Sequence, residues 1–145
     1  MAMFVKQISV SLDNTPGMFL AVSDCLGHEG INIRAISVAD TSDISTVRFV
    51  PDDPQKTLTV LKSKGYSVKE TDVVAVEIPD HPGALQAVLK PLKQAEINVL
   101  YLYPYLGRGQ SGQPIVIVGI DKGPEAIDVL KQNWVHTFGE EIYAL

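Results

Sequence analysis

Ile8, Val10 and Leu12 alternate with Ser9 and Ser11, a period of two that predicts a strand over 4–12 with unequal faces. The pattern then changes to helical spacing, with Met18, Val22, Cys25, Leu26 and Glu29 on one stripe. Between the two lies Asn14-Thr15-Pro16-Gly17, where Pro16 suits the first helical position and Asn14 or Thr15 can cap. Gly30 ends the helix. Strands are expected over roughly 31–40 and 44–50, joined by the turn Asp40-Thr41-Ser42-Asp43. Pro51 to Pro54 opens a second helix with Leu58 and Leu61 as its buried pair; Gly65 stops it, and a fourth strand covers 66–70.

The chain then repeats itself. Shifted by 66 residues, Asn14-Thr15-Pro16-Gly17 falls on Asp80-His81-Pro82-Gly83, and Gly30-Ile31-Asn32-Ile33 on Glu96-Ile97-Asn98-Val99. The second copy is expected as strand 73–78, helix 82–95, strands 97–105 and 114–120, helix 123–133 and a last strand within 135–144. Its longer segment Gly107 to Gln113 moves the later register from 66 to 69. Each copy reads β-α-β-β-α-β. The predicted fold class is α+β: two ferredoxin-like units, each an antiparallel four-stranded sheet with two helices on one face. Their expected bounds are 1–71 and 72–145, and only Thr71 and Asp72 separate the strands, leaving no flexible linker. Ile115 to Val118 is apolar throughout, as in a strand buried on both sides, so a sheet face or edge should be covered by another domain. Pro91 interrupts the third helix and should kink it.

Composition narrows the function classes. The chain's 145 residues leave each copy about 70, near the lower limit for a self-sufficient core. A net charge of −5 without a Lys/Arg cluster argues against nucleic acid as a partner. Cys25 is the one cysteine, which excludes an intrachain disulfide and fits a small core residue in a reducing compartment. Neither a signal peptide nor a run of about 20 apolar residues is readable, so the expectation is a cytoplasmic protein without membrane contact.

The repeated turn is where chemistry is expected. It ends a strand and opens a helix, so several N–H groups point outward with a partial positive charge behind them. Gly17 lets a ligand approach the backbone, and such a corner suits a carboxylate. The Asn14 side chain can accept from an ammonium group while donating elsewhere. Asn32 is expected at the same end of the sheet as that turn. Together these groups offer both hydrogen-bond signs to an α-amino acid. Capping alone is the plainer reading of one copy; retention of Pro-Gly and Ile-Asn at equal spacing in both copies favours binding.

The D/N-x-P-G turn followed by a helix and G-[IV]-N-[IV] resembles the ACT domain, a small regulatory module of enzymes such as aspartokinase and phosphoglycerate dehydrogenase. The resemblance covers essentially the whole chain, as a tandem pair without a catalytic domain. It implies an amino-acid ligand held between paired domains, a homodimer, and a partner enzyme of amino-acid metabolism regulated in trans. Carried over, Asn14, Thr15, Pro16, Gly17 and Met18 form one turn site and Asp80, His81, Gly83 and Ala84 the other. Asn32 with Ile33 and Asn98 with Val99 face them across an interface. The copies differ at the mouth: Asp80 only accepts, whereas Asn14 also donates. The second site therefore favours a more positive ligand, or only one site is occupied. Glu96, in place of glycine, is expected to loosen its helix end.

Other features carry less. Tyr101, Tyr103 and Tyr105 share a strand face that suits packing against a neighbour. Segment 107–113 lacks the Gly-Lys-Ser/Thr and following helix of a phosphate loop. His28, His81 and His136 show no metal-ligand spacing, and no cofactor or catalytic set is expected. The function expected is a non-catalytic amino-acid sensor. The alternative is a structural adaptor without a small ligand, and a third reading, an acyl-phosphate hydrolase or mutase, lacks an arginine in the repeated turns.

Overall fold

A computed structural model of the chain describes residues 4–109 and 111–145; Gln110, within the expected hairpin segment, lies outside the described residues. The chain divides into two compact units, Lys6–Thr71 and Asp72–Leu145, and Phe4 and Val5 group with the later one. The first unit contains β1 (Val5–Asp13), α1 (Met18–His28), β2 (Ile33–Asp40), β3 (Ile44–Pro51), α2 (Pro54–Ser63) and the start of β4 (Ser67–Glu77). The second continues through β4 to α3 (Gln86–Gln94), β5 (Val99–Pro104), β6 (Ile115–Ile120), α4 (Gly123–Gln132), β7 (Thr137–Phe138) and a final 3-10 turn, Glu140–Ala144. No loop interrupts β4, although two strands, 66–70 and 73–78, were expected there.

Both sheets have the expected antiparallel, ferredoxin-like order, β2-β3-β1-β4 in the first unit and β7-β4-β6-β5 in the second. Register turns the alternating pattern into a core. Ile8 lies opposite Phe49 and Val10 opposite Val47, and these side chains meet Val22, Leu26 and Leu61 of the helices. In the second unit Val74 lies opposite Val118 and Val76 opposite Val116, against Val88, Leu92, Ile127 and Leu130. Each such side chain, removed from water, contributes about 1.5–3 kcal/mol. The ring of Phe4 covers Gly123, where a Cβ would come within 2.8 Å of it.

Several expectations need correction. The fully buried pair on α2 is Thr57 and Leu61, with Leu58 only partly buried. Thr57 is accommodated because its hydroxyl donates to the Asp53 carbonyl at 2.8 Å. Helix α3 starts at Gln86 rather than 82, because Ala84, Gln86 and Ala87 donate three residues back and wind a tighter turn first. Pro91 is buried within it, and the helix continues to Gln94. The last strand is two residues long, and the 3-10 turn after it buries Ile142. Tyr105 holds that turn, its hydroxyl 3.0 Å from the Ile142 carbonyl, while Tyr101 stacks on Tyr103 with ring centres 6.4 Å apart. Ile115 to Val118 is buried throughout, as its composition predicts.

Glu96 does not loosen its helix. It takes the left-handed bend at φ 58 that Gly30 takes at φ 71, and Ile97 still donates to the Leu92 carbonyl at 2.9 Å. The Lys122 ammonium group donates to the Glu96 carbonyl and supports the bend. Trp134 makes a similar bend after α4, at φ 64, with its side chain 95% exposed. A side chain there costs about 1–2 kcal/mol relative to glycine. Glu96→Gly should therefore stabilise the second unit by about 1 kcal/mol, read as a higher urea midpoint with an unchanged slope; a lower midpoint would show that the bend carries no strain.

Candidate functional site

The first corner is open. Gly17 precedes α1 at φ 86, ψ −9 with no side-chain cap, and a Cβ placed on it would meet nothing within 4 Å. Thr15 and Pro16 are exposed beside it, and Met18 is half-buried. The first regular helical bond is Ala21 N–H to the Gly17 carbonyl, at 3.1 Å. The N–H groups of Gly17, Phe19 and Leu20 consequently meet no acceptor among the described residues. A left-handed residue before a helix favours glycine, and the same residue keeps the approach to those amides clear.

Asn14 is held by the β2–β3 hairpin. Its backbone N–H donates to the Asp43 carbonyl at 2.9 Å, and its side-chain amide nitrogen to the Thr41 carbonyl at 3.2 Å and Asp40 Oδ2 at 3.4 Å. With its donors engaged, Asn14 keeps Oδ1 as an acceptor on an exposed residue.

The second corner is built differently. Gly83 repeats the bend at φ 79, but Gln86 and Ala87 donate to the Gly83 and Ala84 carbonyls, and Ala84 is buried. His81, Gly83 and Leu85 are the amides left bare there. The His81 ring donates through Nδ1 to the Pro82 carbonyl at 2.9 Å. Asp80 N–H donates to Gln113 Oε1 at 3.2 Å, and its carboxylate lies 3.7 Å from the Arg108 guanidinium. Arg108, remote from the repeated turns in sequence, stands beside one of them. Asp80, on which the expected preference of this corner for a more positive ligand rests, already faces a cation of the same chain.

Asn32 does not share an end of the sheet with the first corner. Ile44 pairs with Asp13 at one end of β3, and Pro51 with Ile33 at the other. The seven steps between Ile44 and Pro51 set corner and asparagine about 23 Å apart within one unit. The reason is topological: α1 returns the chain, so β2 starts where β1 started. The exposed Asn32 is pinned there by its N–H donating to Asp52 Oδ1 at 3.0 Å. Asn98 is pinned in the same way by Asp121, also at 3.0 Å. These two aspartates were missed by the pattern analysis, although the 69-residue shift of the later register superposes them. Asn98 and Val99, with Leu89, Leu92, Lys93, Glu96 and Ile97, line an open cavity of about 390 Å³.

Two further cavities lie elsewhere. One of about 490 Å³ lies over Cys25, His28, Lys64 and Tyr66, and one of about 650 Å³ over Glu77, His136, Phe138 and Glu141. Cys25 is half-buried against the first core. Among the described residues no group of His, Cys, Asp and Glu side chains is arranged to hold a metal, and no helix is long and apolar enough to cross a membrane.

A sequence model described as an ACT domain pair matches residues 3–143. The fold is similar to that of a protein from Bacteroides thetaiotaomicron with 31% identity and a TM-score of 0.91, each chain covered to 99%. It is also similar to aspartokinase alpha and beta subunits, at 19% identity and TM-score 0.60, over 89% of this chain and 91% of that one. The regulatory subunit of aspartate kinase from Thermus thermophilus aligns at 15% identity and TM-score 0.64, over 92% of this chain and 94% of that one. At such identities the two kinase structures establish the fold alone. No curated protein sequence matches the chain.

Asp52→Ala should release the Asn32 amide, speeding its hydrogen exchange and costing about 1 kcal/mol. Asp121→Ala should do the same at Asn98. Exchange that stays slow in either variant would show that another acceptor holds the strand start.

Proposed function

We propose, since this chain belongs to the ACT domain pair family, that it is a non-catalytic sensor of a small amino acid, built from two such domains over 1–71 and 72–145. The observation that carries this reading is the first corner: three N–H groups without acceptors around a side-chain-free Gly17, in the same turn as the exposed Asn14, whose side-chain oxygen is left to accept. Backbone donors at a helix N-terminus suit the α-carboxylate, and the asparagine acceptor suits the ammonium group. Asn32 with Ile33, and Asn98 with Val99, lie too far from the corner of their own unit to close it. In the homodimer we propose, a second copy of the chain supplies the facing asparagine.

Ligand at such an interface binds the assembled state better than the separated one and shifts the population toward assembly. The target we assign is an enzyme of amino-acid metabolism in the cytoplasm, regulated in trans. The regulatory subunit of aspartate kinase, which shares this fold, supports that choice.

One observation favours a structural adaptor instead. Phe19 and Leu20 are 37% and 64% exposed beside the corner, as at a surface that meets another protein.

Thermal-shift measurements against the twenty amino acids separate the readings. A cognate ligand at a hundred times its Kd should stabilise the protein by about 2.7 kcal/mol, a shift of several degrees. Gly17→Asn should abolish that shift while the fold persists, because asparagine tolerates the left-handed bend and places a side chain over the amides. A shift that survives the substitution removes the corner as the site; no shift with any amino acid leaves the adaptor.

A further inference from the structure

In the first corner Asn14 gives its donors to the hairpin and keeps an acceptor; in the second, the acceptor itself faces a cation of the same chain. We infer that Arg108 is an internal competitor at the second corner, its guanidinium standing where Asp80 would hold the ammonium group of an amino acid. The inference rests on the amino-acid reading above and concerns which corner responds first.

Three contacts support it. Arg108 Nη2 lies 3.7 Å from Asp80 Oδ2, and Nη1 donates to the Gly112 carbonyl at 2.8 Å, which fixes the side chain's direction. Gln113 Oε1 accepts from the Asp80 N–H at 3.2 Å, so the same connection holds the residue's backbone and its carboxylate. The longer β5–β6 connection supplies both side chains. Its counterpart in the first unit presents the Asp40 carboxylate and the Thr41 and Asp43 carbonyls to Asn14 instead.

The competitor acts through its positive charge and its planar fork of donors. Its strength is limited. The two side chains are 57% and 70% exposed, and an exposed pair is worth at most about 1 kcal/mol, or fivefold in an equilibrium. An amino acid brings a carboxylate for the bare amides as well as an ammonium group, so it can displace the guanidinium at higher concentration. The outcome is graded occupancy, with the first corner filling before the second.

Glycine, lysine and aspartate serve as neutral, cationic and anionic probes in calorimetry of the full chain. Arg108→Ala should strengthen the weaker binding event up to about fivefold. That gain should vanish when Gly83→Asn is added and persist when Gly17→Asn is added. A bound probe whose weaker event is unchanged or weakened by Arg108→Ala overturns the competitor alone. Any other amino acid that gives a thermal shift joins these probes; silence of all twenty on the wild type and all variants overturns the amino-acid reading and the competitor with it. Without ligand, Asp80→Asn should shift the guanidinium nitrogen resonances of Arg108; resonances that stay in place overturn the contact.

Discussion

A crossover helix returns the chain along the sheet it packs against, and this constraint orders everything else in the molecule. Helix α1 has eleven residues and rises about 16 Å, and with the turns at its two ends it carries the chain from the exit of β1 back toward the level of its start. Strand β2 then runs parallel to β1, with β3 antiparallel between them. Each unit therefore has two chemically distinct ends. One carries the open corner and the β2–β3 hairpin, the other the asparagine held by an aspartate. In the proposed function neither end is complete alone, and unlike ends from different copies have to be joined.

The two ends are maintained by different physics. At the corner, backbone donors are left without acceptors, a cost tolerable because they face water. At the asparagine end the backbone N–H and carbonyl of Asn32 and of Asn98 are satisfied, by reciprocal pairing with Asp52 and with Asp121. An unsatisfied but solvated end can take a ligand; a satisfied one can serve as a fixed wall. The cores between them are alike in both units, and the divergence lies in the connections.

Much of this was legible in the sequence because it is local. Alternation at Ile8, Val10 and Leu12, the Pro-Gly helix start and the repeated Ile-Asn all depend on neighbours within a few residues, and they led to the element order, the ferredoxin-like frame and the family. What escaped was non-local or competitive. Asn32 was assigned to the wrong end because following the strand directions, not the motif, decides where a strand begins. The proximity of Arg108 to Asp80 depends on how a hairpin connection folds back. The late start of α3 reflects three-residue bonds outcompeting the Pro-Gly signal at Pro82-Gly83. Glu96 shows tertiary context overriding a residue preference: a helix end with a buried Ile97 behind it kept its bend without glycine.

Trp134, the sole tryptophan, has a practical consequence for anyone who handles this protein. Its indole is solvated in the native state, at the tip of a helix end and outside both hydrophobic clusters. Emission from that ring will already be red in the folded molecule, and melting will change it little. The five tyrosines, among them the buried Tyr103 and Tyr105, are the chromophores that sense the interior. A flat tryptophan signal across a denaturant series would therefore reflect where the ring sits, while the chain around it unfolds.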